Sequence, residues 1–494
     1  LSSVTAEPIA LTWSGSTYGP DGPWPAVEID IGFSTQQPIA MYPGAEFASY
    51  LLTSDYCNQN KSLPCYGSQA GLYNSAQSQL EQSGSDAFIQ YAPGSNFMNG
   101  VNIIGGKAKS WVDYWNIGDV TVANVSMALV SNAFAQYPGG DAYPLTVGCM
   151  GYGAPGTINQ TFSNDFGPAV NASLIPGYLS AKGSIKSNSF GMHIGSVNPP
   201  IKGSFYFGGY DQNRIVGDVL TGEGSTHSTL SLKDISIDVL DGQSPWNFTS
   251  LGGLLAAGNN SISSGGIDVK VDGCSPYLTF PKSTCDALAS HLPVKFNKKL
   301  GLYTWNTDDV KYSQIVSSAS ALRFTFLAGS NTKNVTISVP FRHLNLTLQQ
   351  PLVSSDTPYF PCFTGSDSYT LGRAFLQDAF IGANWGKETW WLAQAPGPNV
   401  PSASVIELGK DENTIKPSQN DWKESWSGSW KALTTDDVNS GQSVSPVNEG
   451  NNTTPANTGS TGLSTGATAG MGVGIAIGAL AIIGLAVFFW RRHK

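Results

Sequence analysis

The chain has 494 residues, with 26 Lys and Arg against 35 Asp and Glu and a formal net charge of −9. No basic face is available to neutralise phosphates, which excludes nucleic acid as a partner. Charged residues are only 12%, but aromatics reach 11%, so the chain is a packed protein rather than a disordered one, with ample length for a large core.

In chain order, everything before about residue 397 reads as all-β. Short alternating runs recur between Gly, Pro and Asn: AVEIDIGF, DVTVANVSMALV, GSFYFGG, LSLKDISIDVL, ALRFTFLAG and NVTISVPF. Many short strands of this kind mean sandwiches or barrels. Helical period is rare, and Cys285–Leu292 is one instance. The two halves share a pattern. Val27–Gly32 and Pro38–Met41 lead into the turn Tyr42-Pro43-Gly44-Ala45, and the chain leaves through Phe47, Tyr50, Leu51 and Leu52 towards Cys57. In the second half Ile267–Val271 enters the turn Asp272-Gly273-Cys274-Ser275 and leaves through PYLTFP towards Cys285. Two related lobes place such turns face to face across a cleft.

Beyond the body, Trp422, Trp426 and Trp430 stand at i, i+4, i+8. They read either as a short amphipathic helix on the body or membrane, or as unrelated tryptophans in a loop. Residues 434–466 are mostly Ser, Thr, Asn and Gly and read as a flexible stalk. Gly470–Trp490 is a run of 21 residues without a charge, long enough to cross a hydrocarbon core. Arg491, Arg492, His493 and Lys494 follow it, which places the body outside. A glycolipid-anchor signal is the rival reading. With no signal peptide at Leu1, the chain reads as a mature form.

Asn-X-Ser/Thr occurs at Asn60, Asn124, Asn159, Asn171, Asn247, Asn259, Asn334, Asn345, Asn451 and Asn452. That frequency points to a secreted glycoprotein. The six cysteines, Cys57, Cys65, Cys149, Cys274, Cys285 and Cys362, then meet an oxidising compartment where disulfides are the default. His193, His227, His291, His343 and His493 show no metal-ligand spacing, so neither a metal nor another cofactor is expected.

Five blocks, taken in order, resemble the pepsin-like aspartic peptidases over roughly residues 20–397. IQYAPGS at Ile89–Ser95 resembles the flap hairpin and puts Tyr91 at the flap tyrosine. Cys57 and Cys65 sit at the family's small disulfide loop. FGMHIGS followed by Gly203–Val219 resembles the end of the first lobe and the crossing to the second. VDGCSPYLTFP at Val271–Pro281 resembles the second hydrophobic-Asp-Thr-Gly block, and YTLGRAFLQDAFIGANW at Tyr369–Trp385 the late Leu-Gly-x-x-Phe-Leu block. PYLxFP, YTLGRAFLQ and a C-terminal span together resemble fungal members. The resemblance implies an all-β bilobal fold with a central cleft. Its lobes would be 1–205 and 206–397, followed by a juxtamembrane segment and stalk at 398–466, a transmembrane helix at 467–490 and a cytoplasmic tail at 491–494.

In this family peptide hydrolysis uses two carboxylates that share a proton, one from each turn. Asp272 supplies one. At the other turn the alignment places Tyr42, and Asp30, Asp55 and Glu46 fall elsewhere. The supporting threonines become Pro43 and Gly273. A phenol with an ordinary pKa near 10 cannot share a proton with a carboxylate. The chain therefore reads as a cell-surface, membrane-anchored non-peptidase that acts by binding or as a surface component. Its cleft would contain Tyr42, Tyr91, Ser275 and a vestigial Asp272, with a peptide or glycan as the possible ligand. The competing reading is an active acid endopeptidase at the cell surface. The resemblance pairs Cys57 with Cys65. Cys285–Cys362 would tie the second lobe, although Cys285 comes earlier than the family's usual cysteine. Cys149 and Cys274 approach the cleft from opposite lobes and read as two buried free thiols, with a disulfide staple as the alternative.

Overall fold

The computed structural model describes residues 6–44, 49–58, 63–78, 100–153, 159–164, 167–224, 230–262, 266–327, 334–365 and 368–444. Tyr91, Glu46, Asn60, Asn451, Asn452 and Gly470–Trp490 lie outside the described residues. Among the described residues no helix is long and apolar enough to cross a membrane. Residues 1–448 form one compact unit.

Alternation drives the strands. In Trp24–Ile31, Val27, Ile29 and Ile31 are buried while Glu28 and Asp30 face out, as the pleat dictates. In Ser320–Leu327, Leu322, Phe324 and Phe326 point inward and Arg323 and Thr325 do not. These strands assemble into a ten-stranded sheet from the first half and an eight-stranded and a four-stranded sheet from the second. A six-stranded sheet draws on both halves, through the pairing of Ser189–His193 with Ala379–Asn384. The core is aromatic-rich, with Trp24, Trp115, Trp385, Trp391 and Trp426 fully buried.

Each half contains the same crossing motif. In the first, β1 (Gln37–Pro43) runs parallel to β3 (Gly148–Met150), while β2 (Ser49–Leu52) meets β3 antiparallel. In the second, β4 (Ile267–Val271) runs parallel to β6 (Thr370–Leu371), and β5 (Leu278–Thr279) meets β6 antiparallel. In both, therefore, a turn leaves the middle of a sheet, between a strand that enters and one that departs.

The segment after residue 397 differs from its expected form. Val405–Glu407 adds a strand to Gly209–Asp211, and Leu408 and Ile415 join a small core with Tyr210 and Trp391. The three tryptophans form a cluster around a short 3-10 turn, Glu424–Trp426, rather than one amphipathic helix. Trp426 and Trp430 stack with centroids 5.2 Å apart, and Trp426 meets buried His343 at 4.7 Å. Residues 434–444, expected as the start of the stalk, include a capped helix that packs on the body. Thr434 caps a helix at Thr435–Asn439 through a capping box, and Gln314 Nε2 donates to Asp437 O.

A buried polar chain passes beneath the six-stranded sheet. His193 Nε2 donates to Gln377 O at 2.8 Å, so its Nδ1 is the acceptor facing Arg214 Nη1 at 3.3 Å. Burial, with the Arg214 charge, pushes His193 down to about 3. The native state therefore leaves His193 neutral between about pH 6.5 and 3 while the unfolded state binds a proton there. Stability falls as pH drops through that window, by up to about 1.4 kcal/mol per pH unit. In urea titrations at pH 7 and pH 4, His193→Gln should lose roughly 2–3 kcal/mol less on acidification than the unaltered body. Equal acid losses in the two proteins would contradict this.

Candidate active site

The two crossing motifs bring their turns into backbone contact, and strand register identifies the equivalent positions. Pro43 pairs with Met150 as Val271 pairs with Leu371. The next amide in each motif, Gly44 N and Asp272 N, donates to that same carbonyl at 3.2 Å. Gly44, not Tyr42, thus stands opposite Asp272. This corrects the alignment read from sequence by two residues. The first turn contributes no side chain at the position where the second contributes a carboxylate.

Glycine is required at that place by space. A Cβ on Gly44 would overlap Cys274 N and stand 2.6 Å from Gly273 N. On the other side, a Cβ on Gly273 would overlap Pro43 O. The first motif is also joined covalently to the second turn: Cys149 of β3 and Cys274 form a disulfide with Cα atoms 5.9 Å apart, within normal bridging range. Free thiols were expected there. The bond forms because β3 pairs with Tyr42 and so carries Cys149 to the edge of the second turn. Cys274 Sγ lies 3.5 Å from Tyr42 O.

Asp272 is only 4% exposed. Its Oδ1 accepts from Cys274 N at 2.9 Å and its Oδ2 from Ser275 Oγ at 2.7 Å, which closes a tight local turn. Tyr42, 2% exposed, points elsewhere, its hydroxyl donating to Tyr18 O at 2.8 Å. Burial holds the Tyr42 phenol far above its ordinary value, so it stays protonated.

A residue not singled out in the sequence packs between the backbone of the second turn and the Tyr42 ring. Arg373 follows Gly372 directly after β6 and is 2% exposed. Its Nη1 donates to Gly273 O at 2.9 Å and Cys274 O at 3.0 Å. Its guanidinium carbon lies 3.7 Å from the centre of the Tyr42 ring, a cation–π contact that a dry site strengthens to about 2 kcal/mol. Its Nη2 lies 3.8 Å from Asp21 Oδ1, which also accepts from Trp24 Nε1 at 2.8 Å. Burial pushes the Asp21 carboxyl up, and the Arg373 charge partly offsets this. Asp21 sits at the tip of the hairpin between Trp13–Tyr18 and Trp24–Ile31.

Further bonds join the halves beside the turns. Tyr137 and Tyr277 hydroxyls meet at 2.7 Å, Tyr359 donates to Asp21 O at 2.6 Å, Gln349 N donates to Pro20 O at 2.7 Å, and Gly139 N donates to Lys299 O at 2.8 Å. Of the residues expected at the site, Tyr42, Asp272, Ser275, Cys149 and Cys274 are gathered here, while Tyr91 lies outside the described residues. Cys57–Cys65 and Cys285–Cys362 are bonded, each with Cα atoms 5.7 Å apart. Gly44, Arg373 and Asp21 were missed. The separations from Gly44 to Cys57 and from Asp272 to Cys285 are equal, which was the available signal for Gly44. For Arg373 it was a lone cation inside an otherwise apolar block.

The family model described as eukaryotic aspartyl protease matches residues 48–395, well over half of the chain. Its match begins just past the first turn. No curated protein matches the chain.

The Cys149–Cys274 disulfide spans 125 residues of sequence. Restricting the unfolded chain over a loop of that length is worth about 4–5 kcal/mol in the chain-entropy account. Non-reducing peptide mapping should recover a linked Cys149–Cys274 peptide. Replacing both cysteines by serine should lower unfolding free energy by about 4 kcal/mol. Free alkylation of both thiols without reductant would refute the bond.

Proposed function

The chain belongs to the eukaryotic aspartyl protease family, and from that premise we propose that it is a non-peptidase member: a membrane-anchored surface glycoprotein whose rigid two-lobed body serves as a binding or structural module. The observation that carries this reading is Gly44. Proton-sharing catalysis requires two carboxylates with a water held between them. Opposite Asp272 there is no side chain, and the turns stand too close for one to be added. The other buried carboxyl nearby, Asp21, is engaged by Trp24 and Arg373. Tyr42 keeps its proton throughout the acidic range. Losing one member of a catalytic pair commonly removes several orders of magnitude in rate.

Support for the surface role comes from chemistry outside the site. Three disulfides suit an oxidising compartment. Asn124, Asn171, Asn247 and Asn334 of the glycosylation triplets are exposed. The uncharged run Gly470–Trp490 with its basic tail suits a single span with the body outside. Because the two turns meet backbone to backbone, a partner peptide or glycan is better placed on an outer face than on the cleft floor.

Hydrolysis of a denatured protein by the purified body at pH 3–6 tests the reading. We expect no cleavage that depends on Asp272, judged against Asp272→Ala. Gly44→Asp should remain inactive, since Arg373 would pair any carboxylate forced in beside it, and should lose about 1–3 kcal/mol from overpacking. Robust proteolysis abolished by Asp272→Ala would overturn the proposal.

A further inference from the structure

The loop between Leu230–Val239 and Ser250–Leu251 builds an aromatic ledge on the outside of the second half. Trp246 and Phe248 stack nearly parallel, with centroids 5.5 Å apart and planes at 11°. Both rings are half-exposed yet firmly held. Trp246 Nε1 donates to His291 O at 2.7 Å, Trp246 N donates to Ser244 Oγ at 3.0 Å, and Ser244 Oγ donates to Phe248 O. The Phe248 ring meets the His291 ring at 5.6 Å, and Trp246 meets Phe341 at 5.7 Å. Asn247, exposed, lies between them in the sequence, and Thr249 completes the triplet Asn-Phe-Thr.

This ledge borders a depression of about 500 Å³ rimmed by Asn247, Ser290, Pro293, Asp309 and Lys311. The size suits a small ligand. One wall is aromatic and the rim is polar, a combination that fits a pyranose. The C–H face of such a sugar meets the negative face of an aromatic ring, and its hydroxyls reach the rim. A sugar attached to Asn247 would be held beside the ledge by its own covalent bond, at high effective concentration. Three other described triplets lie in different settings. Asn345 Nδ2 donates to Tyr312 at 3.1 Å and Asn259 Nδ2 to Ser283 at 3.1 Å, while Asn334 is exposed at the start of an edge strand, Asn334–Pro340.

We propose that Asn247 carries an N-linked glycan whose first sugars seat on the Trp246–Phe248 ledge and form part of the folded body. In the modification, Asn247 Nδ2 attacks C1 of an oligosaccharide carried on a lipid diphosphate. A C–N bond forms, the C1–O bond breaks, the lipid diphosphate leaves, and the amide proton passes to the base of the transferase; nothing is oxidised or reduced. The inference needs passage through an oxidising secretory compartment, for which the three disulfides speak. It does not depend on the absence of peptidase activity.

The test uses the full chain from a eukaryotic secretory host. Peptide mapping before and after treatment with an N-glycosidase should find Asn247 occupied. Thr249→Ala, which removes the modification but keeps Asn247, should lower the melting temperature by roughly 1–3 °C, while Asn334→Gln leaves it unchanged. In a Trp246→Leu background, Thr249→Ala should cause no further drop. Enzymatic trimming of the folded, unaltered protein makes the same comparison without a variant and should reproduce the decrease. An unmodified Asn247 peptide, an unchanged melting temperature on losing the glycan, or a full decrease that persists without Trp246 would each overturn the proposal.

Discussion

Two turns meet backbone to backbone, where Gly44 lies against Gly273 and Cys274 without room for a β-carbon. Both turns issue from the middle of a sheet, so neither can shift without moving the strands that carry it. β1 and β3 hold one, β4 and β6 the other, through register that is the same in both halves. The absence of a side chain at Gly44 therefore lets the two turns come into backbone contact.

That approach makes the remaining ties possible. Cys149 reaches Cys274 only because β3 ends beside the opposing turn. Arg373 then finds two carbonyls of the second turn, the Tyr42 ring and the Asp21 carboxylate within one side chain's reach. A buried guanidinium without such partners would be strongly destabilising, and here each neighbour is supplied by a different element. Around Arg373 the site gathers two backbone carbonyls, the Asp21 carboxyl and the ring of a protonated phenol. In that arrangement Arg373 balances charge, whereas a proton-sharing pair would leave a mobile proton.

Much of this was readable in the sequence, and the exceptions have physical causes. The strands around Val27–Gly32, Leu230–Leu240 and Ala321–Leu327 follow from alternation, which one buried face imposes directly. The second turn was legible because Asp272 and the PYLTFP run keep the expected order. The first turn was misplaced by two residues because its divergent side chains left only an aromatic to anchor the alignment, and the family match itself starts beyond it. Strand pairing, which sequence does not display, fixed the register. Arg373 was hidden because a buried cation looks like a surface one until its carbonyl and carboxylate partners are in place. The region after residue 397 was read by composition as juxtamembrane and stalk. Its Trp426 is nonetheless fully buried beside His343, and composition cannot tell a docked loop from a loose one.

With Gly44 in backbone contact with Gly273 and Cys274, no facing carboxylate stands ready to hold a tetrahedral intermediate together with Asp272. A peptide inhibitor carrying a statine-type hydroxyl, which mimics that intermediate between two carboxylates, tests it most directly. Calorimetric titration of the body at pH 4–5 should give no heat of specific binding, and melting curves should not shift. Saturable binding that raises the melting temperature and disappears in Asp272→Ala would show that the turns open to admit a ligand, and would contradict the claim.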